Sequence, residues 1–111
     1  MEKRLGKIES VKFGLGGYQD CMLGLSVTLS NGSWGVNDSR CEWDSELIKH
    51  TEHTQWTEEN RDKNYANIMR YLSKLLSEAK VQTVDQLKGK PVECTFEGNT
   101  LKEWRILTEV L

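Results

Sequence analysis

The sequence predicts an α+β protein: an antiparallel β-sheet of about five strands with one long amphipathic helix packed on it. Two observations predict this. Strand-like runs fall in two blocks, residues 3–36 and 92–111, while the helical pattern is confined to 58–80 between them. Asn31-Gly32, between two apolar runs, is the strongest short hairpin signal in the chain.

The first strand starts in residues 3–13, with Leu5, Ile8, Val11 and Phe13 as its apolar positions. Between Leu5 and Val11 the spacing is three instead of two, which predicts a bulge or a bend near Gly6. Gly14-Leu15-Gly16-Gly17-Tyr18-Gln19-Asp20 follows and reads as a tight loop. Cys21, Leu23, Leu25, Val27 and Leu29 then alternate, so one face of the second strand is buried. Gly24 lies on its other face and admits a neighbouring backbone or a ligand. A third strand holds residues 33–36.

Residues 37–56 are polar, with Trp43, Leu47, Ile48 and Trp56 irregularly spaced. They read as a long loop with a short strand at 40–43 and a turn near 45–49. So long a loop in a small domain is functional or ordered by a partner. Thr57 is a good N-cap, and Glu58 and Glu59 complement the dipole of the helix that follows. Its apolar stripe is Tyr65, Ile68, Met69, Leu72, Leu75, Leu76 and Ala79. Residues 83–87 form a capped turn, ended by Gly89 and Pro91. Residues 92–97 and 101–111 are the last two strands, joined at Gly98-Asn99.

With 111 residues, the chain is read as a single ligand-binding domain, 1–111. No apolar run reaches the ~18–20 residues of a membrane span, and no secretory leader follows Met1. A net charge of −2 argues against a protein that holds duplex DNA by its phosphates. It leaves room for a small anion held by a few arginines. Three cysteines without a C-x-x-C spacing point away from a disulfide framework or structural zinc, and towards a reducing cytoplasm. Each cysteine reads as a small buried hydrophobe.

Four groups of residues are candidate sites. The glycine loop is neither a dinucleotide fingerprint nor a P-loop, since no helix follows it. It is either a structural turn or a pocket rim. In the second reading Gly16 and Gly17 let a ligand approach, Tyr18 offers a stacking face, and Gln19 and Asp20 hydrogen-bond a base or ribose. Arg61, Arg70 and Arg105 are phosphate-matching side chains, or simply solvated ones. His50 and His53 have a spacing that two metal ligands could use, but no third ligand stands nearby, so no metal is assigned. Trp43 and Trp56, in the polar loop, are a lid over the core or a stacking platform. No nucleophile–base spacing or carboxylate pair marks a catalyst, and neither enzyme activity nor a cofactor is assigned.

Three segments carry a resemblance. They are Val11-Lys-Phe-Gly-Leu-Gly-Gly-Tyr-Gln-Asp20, the helix start Trp56-Thr-Glu-Glu, and Leu87-Lys-Gly-Lys-Pro-Val with the later Phe-Glu-Gly-Asn-Thr-Leu-Lys-Glu-Trp-Arg-Ile-Leu. In size, order of elements and these motifs the chain resembles the first type of phage Thoeris anti-defence protein. That resemblance implies a sponge in the host bacterial cytoplasm, which binds cyclic ADP-ribose isomers made by TIR-domain enzymes without cleaving them. It further implies a homodimer with pockets at the subunit interface, in some members assembled into hexamers. For such a ligand the chain offers Phe13, Gly16, Gly17 and Tyr18 around the base. Gln19, Asp20 and Asn99 suit ribose hydroxyls, and Arg61 and Arg105 suit phosphate. Three alternatives stay open: a protein-binding inhibitor of a host defence enzyme, of the anti-CRISPR kind; an accessory protein for single-stranded nucleic acid; and a small hydrolase.

Overall fold

The computed structural model describes residues 1–111. Its organising element is β1 (Glu2–Gly16), followed by β2 (Met22–Ser30), β3 (Gly35–Trp43), α1 (Glu58–Ala79), β4 (Pro91–Glu97) and β5 (Thr100–Ile106). All strand pairs are antiparallel, in the order β3-β2-β1-β4-β5. The N-terminal half of β1 pairs with β4, Glu2 opposite Phe96. Its C-terminal half pairs with β2, Gly16 opposite Met22. The sheet curls into a half-barrel with α1 on its concave side. No helix is long and apolar enough to cross a membrane.

The break in alternation along β1 is a bulge between Ile8 and Ser10, not a bend at Gly6. Before it, the residues facing the core are Arg4, Gly6 and Ile8, opposite Cys94, Val92 and Leu29. After it they are Val11, Phe13 and Leu15, opposite Val27, Leu25 and Leu23. The extra residue moves the core face from even to odd positions. Leu5 therefore lies out of phase and is exposed, at 63 %. A side chain at Gly6 would meet the Trp34 indole at 2.9 Å and the Ser30 carbonyl at 2.6 Å, so Trp34 takes the place a side chain would need.

The core joins Ile8, Leu25, Val27 and Leu29 to Leu75 and Ala79 of α1, and to Leu87, Val92, Cys94, Phe96 and Ile106. Cys94 is a buried hydrophobe, and desolvation pushes its thiol up to about 11. Cys21 and Cys41 are only partly buried. Thr57 caps α1 by accepting from the Asn60 N–H at 3.0 Å, and Lys80 ends it in the left-handed region. Met69, counted in the apolar stripe, is 54 % exposed, because α1 does not cover the far end of the β1–β2 hairpin.

The polar stretch 37–43 belongs to one continuous strand with residues 35–36. Its even members Asp38, Arg40 and Glu42 face the concave side, opposite Val27, Leu25 and Leu23. They meet polar partners on α1 and β5 instead of apolar ones. Glu42 accepts from the Asn64 amide at 2.5 Å, Arg40 lies 3.7 Å from the Tyr71 ring centroid, and Asp38 accepts from Trp104 Nε1 at 2.7 Å. The Tyr65 hydroxyl donates to the Trp43 carbonyl beside them. These bonds remove the apolar alternation that marks other strands.

Candidate functional site

The glycine loop opens onto a hollow of about 240 Å³ on the convex face of the sheet, away from α1. Gly14, Gly16 and Gly24 line it without side chains, and Gly17 closes one end. Gly24 is required for a local reason. A Cβ there would run into the Arg40 carbonyl oxygen and lie 2.5 Å from the Cys41 Cα, so the strand is glycine where β3 comes closest. Gly17 holds φ at 67°, and the chain then turns through Gln19 (φ 51°) and Asp20 (φ 57°).

The walls of the hollow are chemically mixed. Lys12 runs along the glycines, its Nζ 3.8 Å from where a Gly16 Cβ would stand. It takes part in none of the nine ion pairs of the chain. Ser26 and Ser39 add hydroxyls, tied together through Asn37: its amide donates to Ser26 Oγ at 3.0 Å, and its Oδ1 accepts from Ser39 Oγ at 2.6 Å. Met22 and Cys41 supply a soft apolar wall, their sulfurs 3.8 Å apart. At the end of the hairpin Tyr18 stands edge-on to Trp43, centroids 6.3 Å apart, and is 67 % exposed.

The residues proposed from sequence do not form one site within the protomer. Gly16, Gly17, Tyr18, Gln19 and Asp20 lie together at the tip of the β1–β2 hairpin. Phe13 faces the opposite side of the sheet, in an apolar hollow of about 90 Å³ with Leu23, Tyr65, Ile68 and Met69. Asn99 sits in the β4–β5 turn beside Glu2, at the other end of β1. The length of β1, roughly 46 Å along the strand at ~3.3 Å per residue, separates it from Gly16. Arg105 lies opposite Glu93, which pairs with Leu5, so it too is far from the loop.

The arginines are also engaged. Arg61 is 5 % exposed rather than solvated. It donates to the Ile48 carbonyl at 2.7 Å and stacks over Trp56 at 4.5 Å. It is thus an anchor for the 44–57 loop, which is ordered from within the chain. Arg105 is exposed but held by Glu93 at 3.1 Å and by a fork to Glu109 at 3.0 and 2.9 Å. Those bonds raise its pKa further and hold the Glu109 carboxyl down to about 2. Arg70 donates to Asn67. His50 stacks edge-on against Trp56 while His53 pairs with Glu52, so the two imidazoles have separate partners.

The sequence reading missed Lys12, Ser26, Ser39 and Cys41. Alternation does place Lys12 and Ser26 outward, on the face that carries Gly24. That signal was present; the pairing that aligned them was not. No protein-family model matches the chain, and no curated protein or solved structure proved significantly similar to it.

Proposed function

We propose that this chain is a non-catalytic binding protein that sequesters a small nucleotide. In the fuller form of this reading it is a phage sponge for cyclic ADP-ribose signals, which blocks Thoeris defence by holding the signal intact. The observation that carries the reading is the glycine-floored hollow. It offers a cation free of carboxylate partners and two hydroxyls, drawn from β1, β2 and β3, with the exposed Tyr18 next in the chain to Gly17 at its end. Glycines let a ligand lie against the backbone, Lys12 suits a phosphate, and Tyr18 suits a base. The resemblance of the Val11–Asp20 segment to the Thoeris anti-defence family supports the choice of ligand.

A second copy of the chain belongs to the proposal. The hollow is smaller than the ~300–1,000 Å³ typical of small-molecule sites, so one protomer covers only part of a nucleotide. The surface area of 7287 Å² exceeds the ~6,300 Å² usual for a monomer of this mass. The surplus is close to one partner's share of a standard interface, ~800 Å². Phe13, Leu15 and Met69, exposed beside the hairpin, are apolar surface that a homodimer would cover.

The test is to incubate the purified protein with cyclic ADP-ribose isomers, recover and wash it, then heat it and analyse the released material. Intact nucleotide supports the sponge. A new product would replace it with an enzyme. The absence of both depletion and release would overturn it in favour of an inhibitor that binds a protein target.

A further inference from the structure

We propose that the shallow hollow between β3 and α1 is an oxyanion site, in which Arg40 and Asn67 bind a phosphate group. It is distinct from the glycine hollow and stands independently of the function proposed above. Arg40, Cys41, Asn64, Asn67 and Ile68 line about 190 Å³.

Of the five arginines of the chain, Arg40 is the one that lines this hollow. Arg4 bonds Glu2 and the Gly98 carbonyl, Arg61 is buried on Ile48, Arg70 holds Asn67, and Arg105 is forked to Glu109. Arg40 pairs with Asp38 through Nε at 3.6 Å, beyond hydrogen-bond distance. No carbonyl or carboxylate takes a hydrogen bond from its two terminal nitrogens. Its guanidinium carbon lies over the Tyr71 ring, 3.7 Å from the centroid. That cation–π contact holds the guanidinium in place before any ligand arrives, which lowers the ordering cost of binding.

The neighbouring polar groups are oriented to match. Asn67 accepts from Arg70 through Oδ1, which turns its amide N–H₂ free to donate. The nearby carboxylates are already occupied. Asp38 Oδ2 accepts from Trp104 and Tyr71, and Glu42 accepts from Asn64 and the Trp43 N–H. The guanidinium of Arg40 and the amide of Asn67 are thus donors left unspent on two different elements, while Asn64, between them, gives its own amide N–H to Glu42. A tetrahedral oxyanion with several acceptor oxygens fits that set.

Inorganic phosphate and adenosine 5′-monophosphate, titrated separately against the whole protein by calorimetry, test the site. Saturable binding is expected, weakened at least tenfold by Arg40→Gln and several-fold by Asn67→Ala, with Lys102→Gln unchanged as the charge control. Because Arg40 also packs on Tyr71, the melting temperature of each variant is recorded. Asn67→Ala, on an exposed helical position, keeps the question answerable if Arg40→Gln fails to fold. Binding of both probes supports a site for phosphate itself. Binding of the nucleotide alone, lost in the same variants, supports a site for a phosphate ester. Absence of binding, or equal affinity in folded Arg40→Gln and Asn67→Ala, overturns it.

Discussion

Trp104 Nε1 donates a 2.7 Å hydrogen bond to Asp38 Oδ2, although the two residues lie on the two opposite edge strands of the sheet, β5 and β3. A flat five-strand sheet would hold them roughly 19 Å apart, four spacings of ~4.8 Å. The bond therefore marks how strongly the sheet curls around α1. The Tyr71 hydroxyl, from the helix, faces the same carboxylate oxygen at 3.4 Å, so sheet edges and helix meet at one acceptor. Burial holds that hydroxyl protonated, its pKa pushed up to about 12.

Removing the donor should loosen the closure. Trp104→Phe keeps an aromatic ring against Cys94 but leaves the half-buried Asp38 carboxylate one bond short. An unmet partner of this kind costs ~1–3 kcal/mol. Urea unfolding of the variant should show that loss, and Asp38→Asn in the same background should then cost less than it does alone. Additive effects of the two substitutions would show that the bond contributes nothing.

Gly14 and Gly24 are paired neighbours across β1 and β2, yet alanine should affect them oppositely. At Gly24 the new Cβ collides with the β3 backbone, and overpacking of this kind costs ~1–3 kcal/mol. At Gly14 the nearest atom is Lys12 Cε at 3.9 Å, so the fold accepts the methyl group while the hollow fills. Gly14→Ala is expected to keep its melting temperature and to bind cyclic ADP-ribose isomers more weakly. Unchanged binding would remove the glycine floor from the proposed site.

The Arg105–Glu109 fork makes a prediction about pH. The folded Glu109 carboxyl has a pKa of about 2 against an ordinary 4.5, so the unfolded chain binds the proton more readily. Stability from this pair is therefore complete above about pH 4.5 and is lost as pH falls towards 2. Because both groups are exposed, the effect is small and salt-sensitive. Melting curves of the wild type and Glu109→Gln should differ at neutral pH and low salt, and converge at the acid end. A gap that persists at pH 2 would assign the difference to something other than the ion pair.

The sequence made the α+β class legible because its helix and most strands carry clean periods. Leu23 to Leu29 alternate, and Ile68 to Ala79 repeat with helical spacing. It failed where polar residues do structural work in pairs. Asp38 reads as loop, and Arg40 and Glu42 as a separate short strand within it, because their partners, Tyr71, Trp104 and Asn64, are between 22 and 66 residues away. The candidate site was legible at the hairpin tip, where glycines and Tyr18 are contiguous in the chain. It was not legible across strands. Lys12, Ser26 and Ser39 converge only through register, and Asn99 was assigned to a place that register puts at the far end of β1.

Arg61 shows the same limit and yields the last prediction. In the first turn of α1, an arginine offered to solvent would suit an anion. Instead its stem and guanidinium are enclosed, with one N–H on the Ile48 carbonyl and the ring of Trp56 against its face. Glu58, 4.0 Å away and exposed, adds little. Arg61→Ala would leave the Ile48 carbonyl without its donor and Trp56 without its partner. A hydrogen bond from a charged donor is worth ~1.5–3 kcal/mol, and a loss of that size is expected in urea unfolding. The damage should be local, because the 44–57 loop is held from this point while the sheet core is not. Limited proteolysis should therefore cut the variant within 44–57 under conditions where the wild type resists. Arg61→Lys should not rescue it, since an ammonium cannot both stack flat on the indole and reach the carbonyl. A variant that unfolds like the wild type, resists cleavage, yet loses nucleotide binding would instead return Arg61 to the ligand site.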